Sequence, residues 1–218
     1  MLPAVIRALA TKYPDFELEV SELTTEQQMS RLSEGKIDAL LMVGSLPVKG
    51  LVFNPICRDP LVAMVSRQCP LANKKSISIE DLRDVNIIAS RLKDCRFHQS
   101  YLHELFAPFG IIPKIIESPQ SCSVQLAYAA AGEGVAITTA SMAQCEFPHV
   151  VALTFDEPLP PMQLGLAALE SNESLSMKIF RKIVIDHANN TLNSCASAIS
   201  HPLSSRQPVA VMNRREAS

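Results

Sequence analysis

The sequence predicts an α/β fold made of two Rossmann-like lobes that are joined by a hinge and separated by a cleft. The order strand, helix, strand repeats along the chain, with apolar residues alternating in strands and recurring at helical spacing in helices. The run Ile37–Val43 is almost entirely apolar, as expected for a strand that is covered on both faces by helical crossovers. The pattern breaks near Asp59-Pro60 and near Pro158–Pro161, and two crossings between lobes form a hinge.

These breaks predict three segments. Residues 1–59 and 162–190 form lobe one, and residues 60–161 form lobe two. Asn, Ser, Ala and Pro predominate in residues 191–218, so we expect a poorly ordered tail, in which Pro208–Met212 could add an edge strand. A cleft between hinged lobes is a natural site for a small molecule.

Lobe one opens with a helix, a strand and a capped turn. Apolar residues recur at helical spacing within residues 1–13, at Leu2, Val5, Ile6 and Leu9. Phe16, Leu18 and Val20 then alternate with polar residues, which predicts a strand with one buried face.

A second helix should follow, because either Thr25 with Gln28 or Thr24 with Gln27 has the spacing of a capping box. Gly35 is placed to end this helix.

The alternation continues through lobe two and back into lobe one. Strands are predicted at Leu51–Ile56, Leu61–Val65, Asn86–Ser90, Ile111–Glu117, Val150–Leu153 and Leu164–Leu169. Helices are predicted at Phe97–Phe106, at Ser121–Ala131 and after a cap at Ser174, the last with Leu175, Ile179 and Ile183 on its inner side. Gly132 and Gly134 follow a helix and precede a strand. A phosphate loop needs the reverse order, so these glycines are expected to cap.

Composition narrows the class of protein. The 218 residues are 47% hydrophobic and 19% charged, which is typical of a soluble globular protein. The formal net charge of −2 provides no overall positive charge to attract nucleic acid. We find no membrane span and no signal peptide, and therefore expect a cytoplasmic location and no membrane partner. The six scattered cysteines indicate reduced thiols.

Neither a metal site nor a catalytic site is predicted. His98 and His103 are five residues apart, which does not place them on one helix face, and the other histidines are isolated. No G-x-S-x-G motif occurs, and the carboxylates are scattered. We expect no cofactor and no enzymatic activity.

The turn at Thr24-Thr25 has two interpretations. A helix N-terminus presents unpaired N–H groups and a partial positive charge, so two hydroxyls at this point could hold a small anion. The simpler interpretation is that these threonines only cap the helix.

Five stretches, in order, resemble the effector-binding domain of LysR-type transcriptional regulators, which is similar in fold to the type 2 periplasmic solute-binding proteins. They are L-P-A-V-I-R-A-L-A-T-K-Y-P at Leu2–Pro14, L-S-E-G-K-I-D-A-L-L at Leu32–Leu41, D-P-L-V-A-M-V-S-R-Q-C-P-L-A at Asp59–Ala72, I-S-I-E-D-L-R-D at Ile77–Asp84, and V-Q-L-A-Y-A-A-A-G-E-G-V-A-I-T at Val124–Thr138. Within the family, E-L-T-T-E-Q-Q and V-Q-L-A…A-G-E-G look most like regulators of aromatic-compound catabolism.

The resemblance implies an effector site for a small aromatic or other carboxylate. Thr25 matches a threonine that meets the effector carboxylate, and Thr24 lies beside it. Arg96, Phe97 and His98 match the turn of lobe two that faces the cleft, and Leu164 and Gly165 match the returning strand of lobe one.

One position departs from the family pattern. Several members of the aromatic-acid group carry an arginine where this chain has Val43, and valine cannot form the bidentate hydrogen bonds of an Arg–carboxylate pair. Arg96 or Arg58 could supply the charge instead.

The resemblance also implies segments that are not in the sequence. The family places a winged helix-turn-helix, a linker helix and the first, central strand of lobe one ahead of residues matching Leu2-Pro3. We therefore expect a fragment that lacks the first strand of lobe one and that reaches DNA only through a missing N-terminal domain. It should assemble as a homodimer or tetramer. The alternative is a freestanding solute-binding protein of the same fold, for which an export signal would be expected.

Overall fold

The computed structural model describes residues 2–44, 49–91, 96–118, 121–143, 147–172, 174–198 and 211–213. In chain order the helices and strands are α1 (Leu2–Lys12), β1 (Glu19–Ser21), α2 (Thr25–Ser33), β2 (Ala39–Val43), β3 (Leu51–Asp59), β4 (Leu61–Ser66), β5 (Ser76–Ile77), β6 (Asn86–Ser90), α3 (Arg96–Phe106), β7 (Lys114–Ser118), α4 (Cys122–Ala130), β8 (Val135–Thr139), α5 (Ala140–Ala143), β9 (Val150–Phe155), β10 (Met162–Leu169), α6 (Leu175–Ala198) and β11 (Val211–Asn213).

The chain divides into two compact α/β units. Of the described residues, 2–58, 162–198 and 211–213 belong to unit 1, and 59–161 belong to unit 2. Unit 1 is built on a five-stranded sheet in the order β1-β11-β2-β10-β3, and unit 2 on a six-stranded sheet in the order β5-β9-β4-β8-β6-β7. The sheet of unit 2 is mixed, with antiparallel and parallel neighbours, whereas β1–β11, β11–β2 and β2–β10 in unit 1 are antiparallel pairs.

Strand β2 shows why the sheet of unit 1 needs helices on both faces. Ala39 and Leu41 belong to the core cluster that includes residues of α1 and α6, whereas Leu40 and Met42 belong to a second cluster with Leu32 of α2. Successive side chains of a strand point to opposite faces. The apolar run of β2 is therefore covered on both sides, as the sequence predicts.

The strand predicted from Phe16, Leu18 and Val20 is shorter than expected, and its inward face was assigned wrongly. Only Glu19–Ser21 is strand, and Val20 is 38% exposed. Phe16 and Leu18 precede the strand and pack against the α1–α6 cluster. Their apolar character reflects contact with that cluster and not the face of a strand.

Helix α6 differs from its prediction in face and in length. Leu175 is 74% exposed, because the buried side of the helix is formed by Met177, Phe180, Ile183 and Val184. The hydroxyl of Ser174 accepts from Met177 N at 3.2 Å, which confirms the predicted cap. The helix continues to Ala198, eight residues into the segment expected to be a poorly ordered tail.

Strand β11 occupies an interior position in the sheet of unit 1. The sequence allows this segment to add a strand at an edge. Instead, it lies between β1 and β2 and runs antiparallel to both. Because β1 and β2 are each antiparallel to β11, they run parallel to one another.

Unit 2 brings the carboxyl ends of three strands to one edge of its sheet. Strand β6 is parallel to both β7 and β8, so Ser90, Ser118 and Thr139 end their strands on the same side. Helix α4 covers one face of this sheet through Leu126 and Ala129. The carboxyl edge of parallel strands is where α/β proteins commonly bind ligands.

The two glycines after α4 have structural roles. Gly132 has φ +84°, a left-handed conformation suited to ending a helix. A Cβ at Gly134 would lie 2.5 Å from Asn86 O, so this glycine allows two backbones to approach. Neither position forms a phosphate loop.

Within the described part of the chain, no helix is long and apolar enough to span a bilayer.

Candidate functional site

Three of the predicted site residues meet in the sheet of unit 1. Strands β2 and β10 are antiparallel neighbours in which Val43 faces Leu164 and Met42 faces Gly165. Immediately after β2, Gly44 has φ +77° and its N–H donates to Gln163 O at 2.7 Å. The carboxyl end of β2 is therefore held against the start of β10. Val43 is only partly buried at this end.

Thr24 and Thr25 lie at the same edge of the sheet, beyond the carboxyl end of β1. Of the two possible capping boxes, the one formed is Thr24 with Gln27. Thr24 Oγ1 accepts from Gln27 N at 3.3 Å, and Thr24 N donates to Gln27 Oε1 at 3.0 Å. Thr24 is thus occupied as the N-cap of α2. Thr25 is the first helical residue and is partly buried. Strand β1, which leads into the turn at Thr24-Thr25, is separated by β11 from β2, which ends at Val43.

Gly165 is explained by packing. A Cβ at this position would collide with the ring of Phe53, which lies in β3 beside β10. Phe53 packs against the cluster that contains Leu40 and Met42. The glycine therefore makes room for an aromatic ring in the core of unit 1.

In unit 2, His98 joins a polar cluster at the carboxyl edge of β6. Ser90 N donates to His98 Nδ1 at 3.1 Å, and Ser90 Oγ lies 3.1 Å from the same nitrogen. Gln125 Nε2, from α4, donates to Ser90 Oγ at 2.9 Å. Gln99 Nε2, from α3, donates to Ser90 O at 3.0 Å and to Glu117 Oε1 at 2.9 Å.

These contacts define the protonation state of His98. A backbone N–H can only donate, so the Nδ1 that accepts from Ser90 carries no proton, and the proton of the neutral ring is on Nε2. Burial lowers the pKa of His98 to about 4. At neutral pH the ring is uncharged and offers Nε2–H as a donor.

The sequence missed most of this cluster. Ser90, Gln99 and Ser118 are buried polar residues, and Ser118 Oγ donates to Ala89 O at 3.3 Å. The available signal was Ser90, a polar residue directly after the apolar run Ile87–Ala89 of its strand. Gln125 gave no signal, because its partner is 35 residues away.

The remaining predicted residues start helix α3. Arg96 and Phe97 are its first two residues, and their side chains lie outside the described part of the structure. In the parts of the chain that are described, no group of three or more His, Cys, Asp or Glu side chains is arranged to hold a metal ion.

Comparison with known proteins identifies the family. Residues 1–189 match the family described as the LysR substrate binding domain. The chain belongs to this family. Its curated relatives include the HTH-type transcriptional regulator AlsR of Bacillus subtilis, which is 26% identical over 140 residues, covering 64% of this chain and 46% of AlsR. The chain spans about half the length of the curated relatives it matches.

Solved structures show the same fold. The effector binding domain of BenM with its effector benzoate matches with a TM-score of 0.74 and 22% identity, over 88% of this chain and 87% of that domain. The effector binding domain of QuiR in complex with shikimate matches with a TM-score of 0.75 and 20% identity, over 87% and 91% of the two chains. The type 2 periplasmic-binding-protein-like α/β fold predicted from the sequence is therefore confirmed. Because the relatives are transcriptional regulators, the family assignment is consistent with a protein that is not an enzyme.

Proposed function

We propose that this chain is the effector-sensing part of a LysR-type transcriptional regulator and that its effector is a small organic acid. The observation that carries the proposal is the family match over residues 1–189, nearly the whole of the chain that the structure describes. In such a regulator, the effector acts by favouring one arrangement of the protein over another.

The chemistry of unit 1 supports an acid, because Thr25 opens helix α2, whose N-terminus favours negative charge. Taken by itself, unit 2 offers the neutral His98 and the amide of Gln125, which belong to a cluster of uncharged polar groups. Such groups suit hydroxyl or carbonyl oxygens. Benzoate and shikimate, the ligands of two structural neighbours, are the first compounds to test.

A thermal-shift titration of the full chain tests the proposal. A ligand that binds only the folded state raises Tm by mass action, so benzoate or shikimate at a hundredfold excess over Kd should stabilise the fold by about 2.7 kcal/mol. Benzamide, which has the shape of benzoate without its charge, is the matched control and should bind more weakly. If a broad panel of carboxylates, including muconate and phenylpropanoid acids, leaves Tm unchanged, the proposal is wrong.

Substitution of Thr25 separates ligand binding from capping. Thr25→Val should weaken acid binding severalfold while leaving the cap bonds of Thr24 in place. Thr154→Val, at an exposed position of β9, is the control and should bind the ligand as the parent does. Equal affinities for both variants would remove Thr25 from the site.

The family assignment also supports proposals about how the protein reaches DNA and how its subunits assemble. The relatives named as HTH-type regulators are about twice as long as the match, so we propose that DNA is read by a module outside this sequence. The chain itself should form a homodimer or tetramer. Size-exclusion chromatography with light scattering tests this, and a monomer at all concentrations would contradict it.

A further inference from the structure

Unit 2 contains an apolar pocket that is separate from the polar cluster around His98. The pocket has a volume of about 600 Å³ and lies between the second half of α3 and the segment Glu157–Pro160, which leads back to unit 1. His98 and the pocket residue Leu105 are about 10 Å apart along the axis of α3. A cavity of this size can hold a small organic molecule.

Apolar and aromatic side chains form most of the lining. Leu105 and Leu159 line the pocket together with prolines and with the rings of Tyr101 and Phe109. Leu105 is 5% exposed, whereas the other three side chains are half-buried. Aromatic rings attract organic cations as well as flat apolar groups. These walls therefore suit a ligand with an aromatic or aliphatic body.

The polar groups along the segment Glu157–Pro160 are hydrogen-bond acceptors. Tyr101 Oη donates its proton to Pro160 O at 3.0 Å, and Leu159 N donates to Glu157 O at 2.8 Å. Proline, at positions 158 and 160, has no N–H group. The donors of Tyr101 and Leu159 are thus already used, and this side of the pocket offers oxygen atoms to a ligand.

Two carboxylates give the pocket a negative charge. Glu104 lies in the last turn of α3, where the partial negative charge of the helix end adds to its own. On the other wall, both oxygens of Glu157 accept from Ile79 N, at 3.1 and 3.2 Å. Burial and the charge of Glu104 raise the pKa of Tyr101, as expected beside concentrated negative charge. None of the lining residues in the described part of the chain is Lys, Arg or His.

We propose that this pocket binds an organic cation, in which a primary ammonium group is attached to an aromatic or aliphatic body. An ammonium group has three donors and no acceptor, which matches the oxygen atoms of the wall. Its charge complements Glu104 and Glu157, and its body matches the apolar lining. The pocket lies apart from the candidate acid site, so the proposal stands whether or not the chain senses an acid.

Calorimetric titration of the full chain at pH 8 with three indoles tests the charge preference at nearly constant shape. Tryptamine carries an ammonium group on its side chain, tryptophol carries a hydroxyl group in the same place, and indole-3-propionate carries a carboxylate. Tryptamine should bind about tenfold more tightly than tryptophol, because its hydrogen bonds to the pocket are charge-assisted. Indole-3-propionate should bind more weakly than both.

Substitutions at Glu104 test whether the cation lies in this pocket. Glu104→Gln removes the charge at an exposed position and should weaken tryptamine binding about threefold to fivefold, with tryptophol unchanged. Glu104→Lys should weaken tryptamine binding further and should tighten the binding of indole-3-propionate. Glu133→Gln is the matched control, because it removes an exposed carboxylate outside the pocket, and it should bind tryptamine as the parent does.

Three results would overturn the proposal. The first is tryptamine that binds no more tightly than tryptophol, since the occupant would then be selected by shape alone. The second is an equal effect of Glu104→Gln and Glu133→Gln on tryptamine binding. The third comes from light scattering on the same samples: if the parent self-associates and Glu104→Gln does not, the occupant is a second copy of the chain.

Discussion

Acidification should destabilise this protein in part through His98. The folded state holds His98 neutral because Nδ1 accepts from Ser90 N and because burial opposes charge, which lowers its pKa to about 4. In the unfolded chain the same ring titrates near its ordinary value of 6.5. Between these two values the unfolded chain binds a proton that the folded protein does not. The stability linked to this pKa difference is therefore present above pH 6.5 and lost progressively as the pH falls towards 4.

The size of the effect follows from the two pKa values. Linkage gives a loss of about 2 kcal/mol between pH 7 and pH 5, and about 3 kcal/mol once the pH is below 4. Such a loss is a large fraction of the stability of a typical domain. It should be measurable as a fall in the free energy of unfolding.

The assay is urea unfolding at a series of pH values, for the parent chain and for His98→Asn. Asparagine can place its amide oxygen where Nδ1 accepts from Ser90 N, but it does not titrate. The difference between the two stability curves isolates His98, since all other groups contribute to both. His103→Asn is the matched control, at an exposed position of the same helix, and should keep the pH dependence of the parent.

Two results would contradict a neutral, buried His98. The first is a parent and a His98→Asn variant with the same pH dependence between pH 7 and pH 5. The second is an NMR titration in which His98 of the folded protein gains its proton above pH 6. Either would mean that the ring is not held neutral by Ser90 and by burial.

Three further substitutions test the candidate site in unit 1. Thr24→Ala should lower the free energy of unfolding by about 1 kcal/mol, because it removes the acceptor that caps Gln27 N. An unchanged free energy of unfolding in urea would show that the cap bond is absent. Val43→Arg should tighten carboxylate binding roughly ten- to hundredfold in calorimetry, since it adds a charge-assisted hydrogen-bond donor at the end of β2. Val43→Met is the control and should not tighten binding. Equal affinities of the two variants would place Val43 outside the site. Gly165→Ala should lower the free energy of unfolding by about 1–3 kcal/mol, because the new Cβ collides with the Phe53 ring. Adding Phe53→Leu to the same chain should recover part of that loss. If the losses of the two single variants simply add in the double variant, the collision is contradicted.

Local features were readable from the sequence because their causes are local. The cap of α2 depends on residues three positions apart, and Asn86–Ser90 is a strand because its apolar residues are bounded by polar ones. Gly35 and Gly132 adopt left-handed conformations, as expected after predicted helices. Such features need only short-range hydrogen bonds, steric limits and periodicity.

Where the sequence left alternatives or misled, the deciding contact came from a distant part of the chain. The exception is the choice between Thr24 and Thr25 as the cap, which local hydrogen bonds of the turn decide. Val20 was assigned to a buried face, but it is 38% exposed. It pairs with Met212, which is far along the sequence. The same reason explains why Gln125 escaped notice, since its hydrogen bond to Ser90 depends on how α4 packs against β6.

Periodicity and short motifs were enough to predict the family, the α/β class and the order of most elements. The three-dimensional contacts were needed to show which polar groups meet at the carboxyl edge of β6, and that His98 is neutral there. They were also needed to show that the segment expected at a sheet edge lies between β1 and β2. The physical reason is the same in each case: burial and strand pairing depend on the partners that the fold supplies, and a linear pattern does not record those partners.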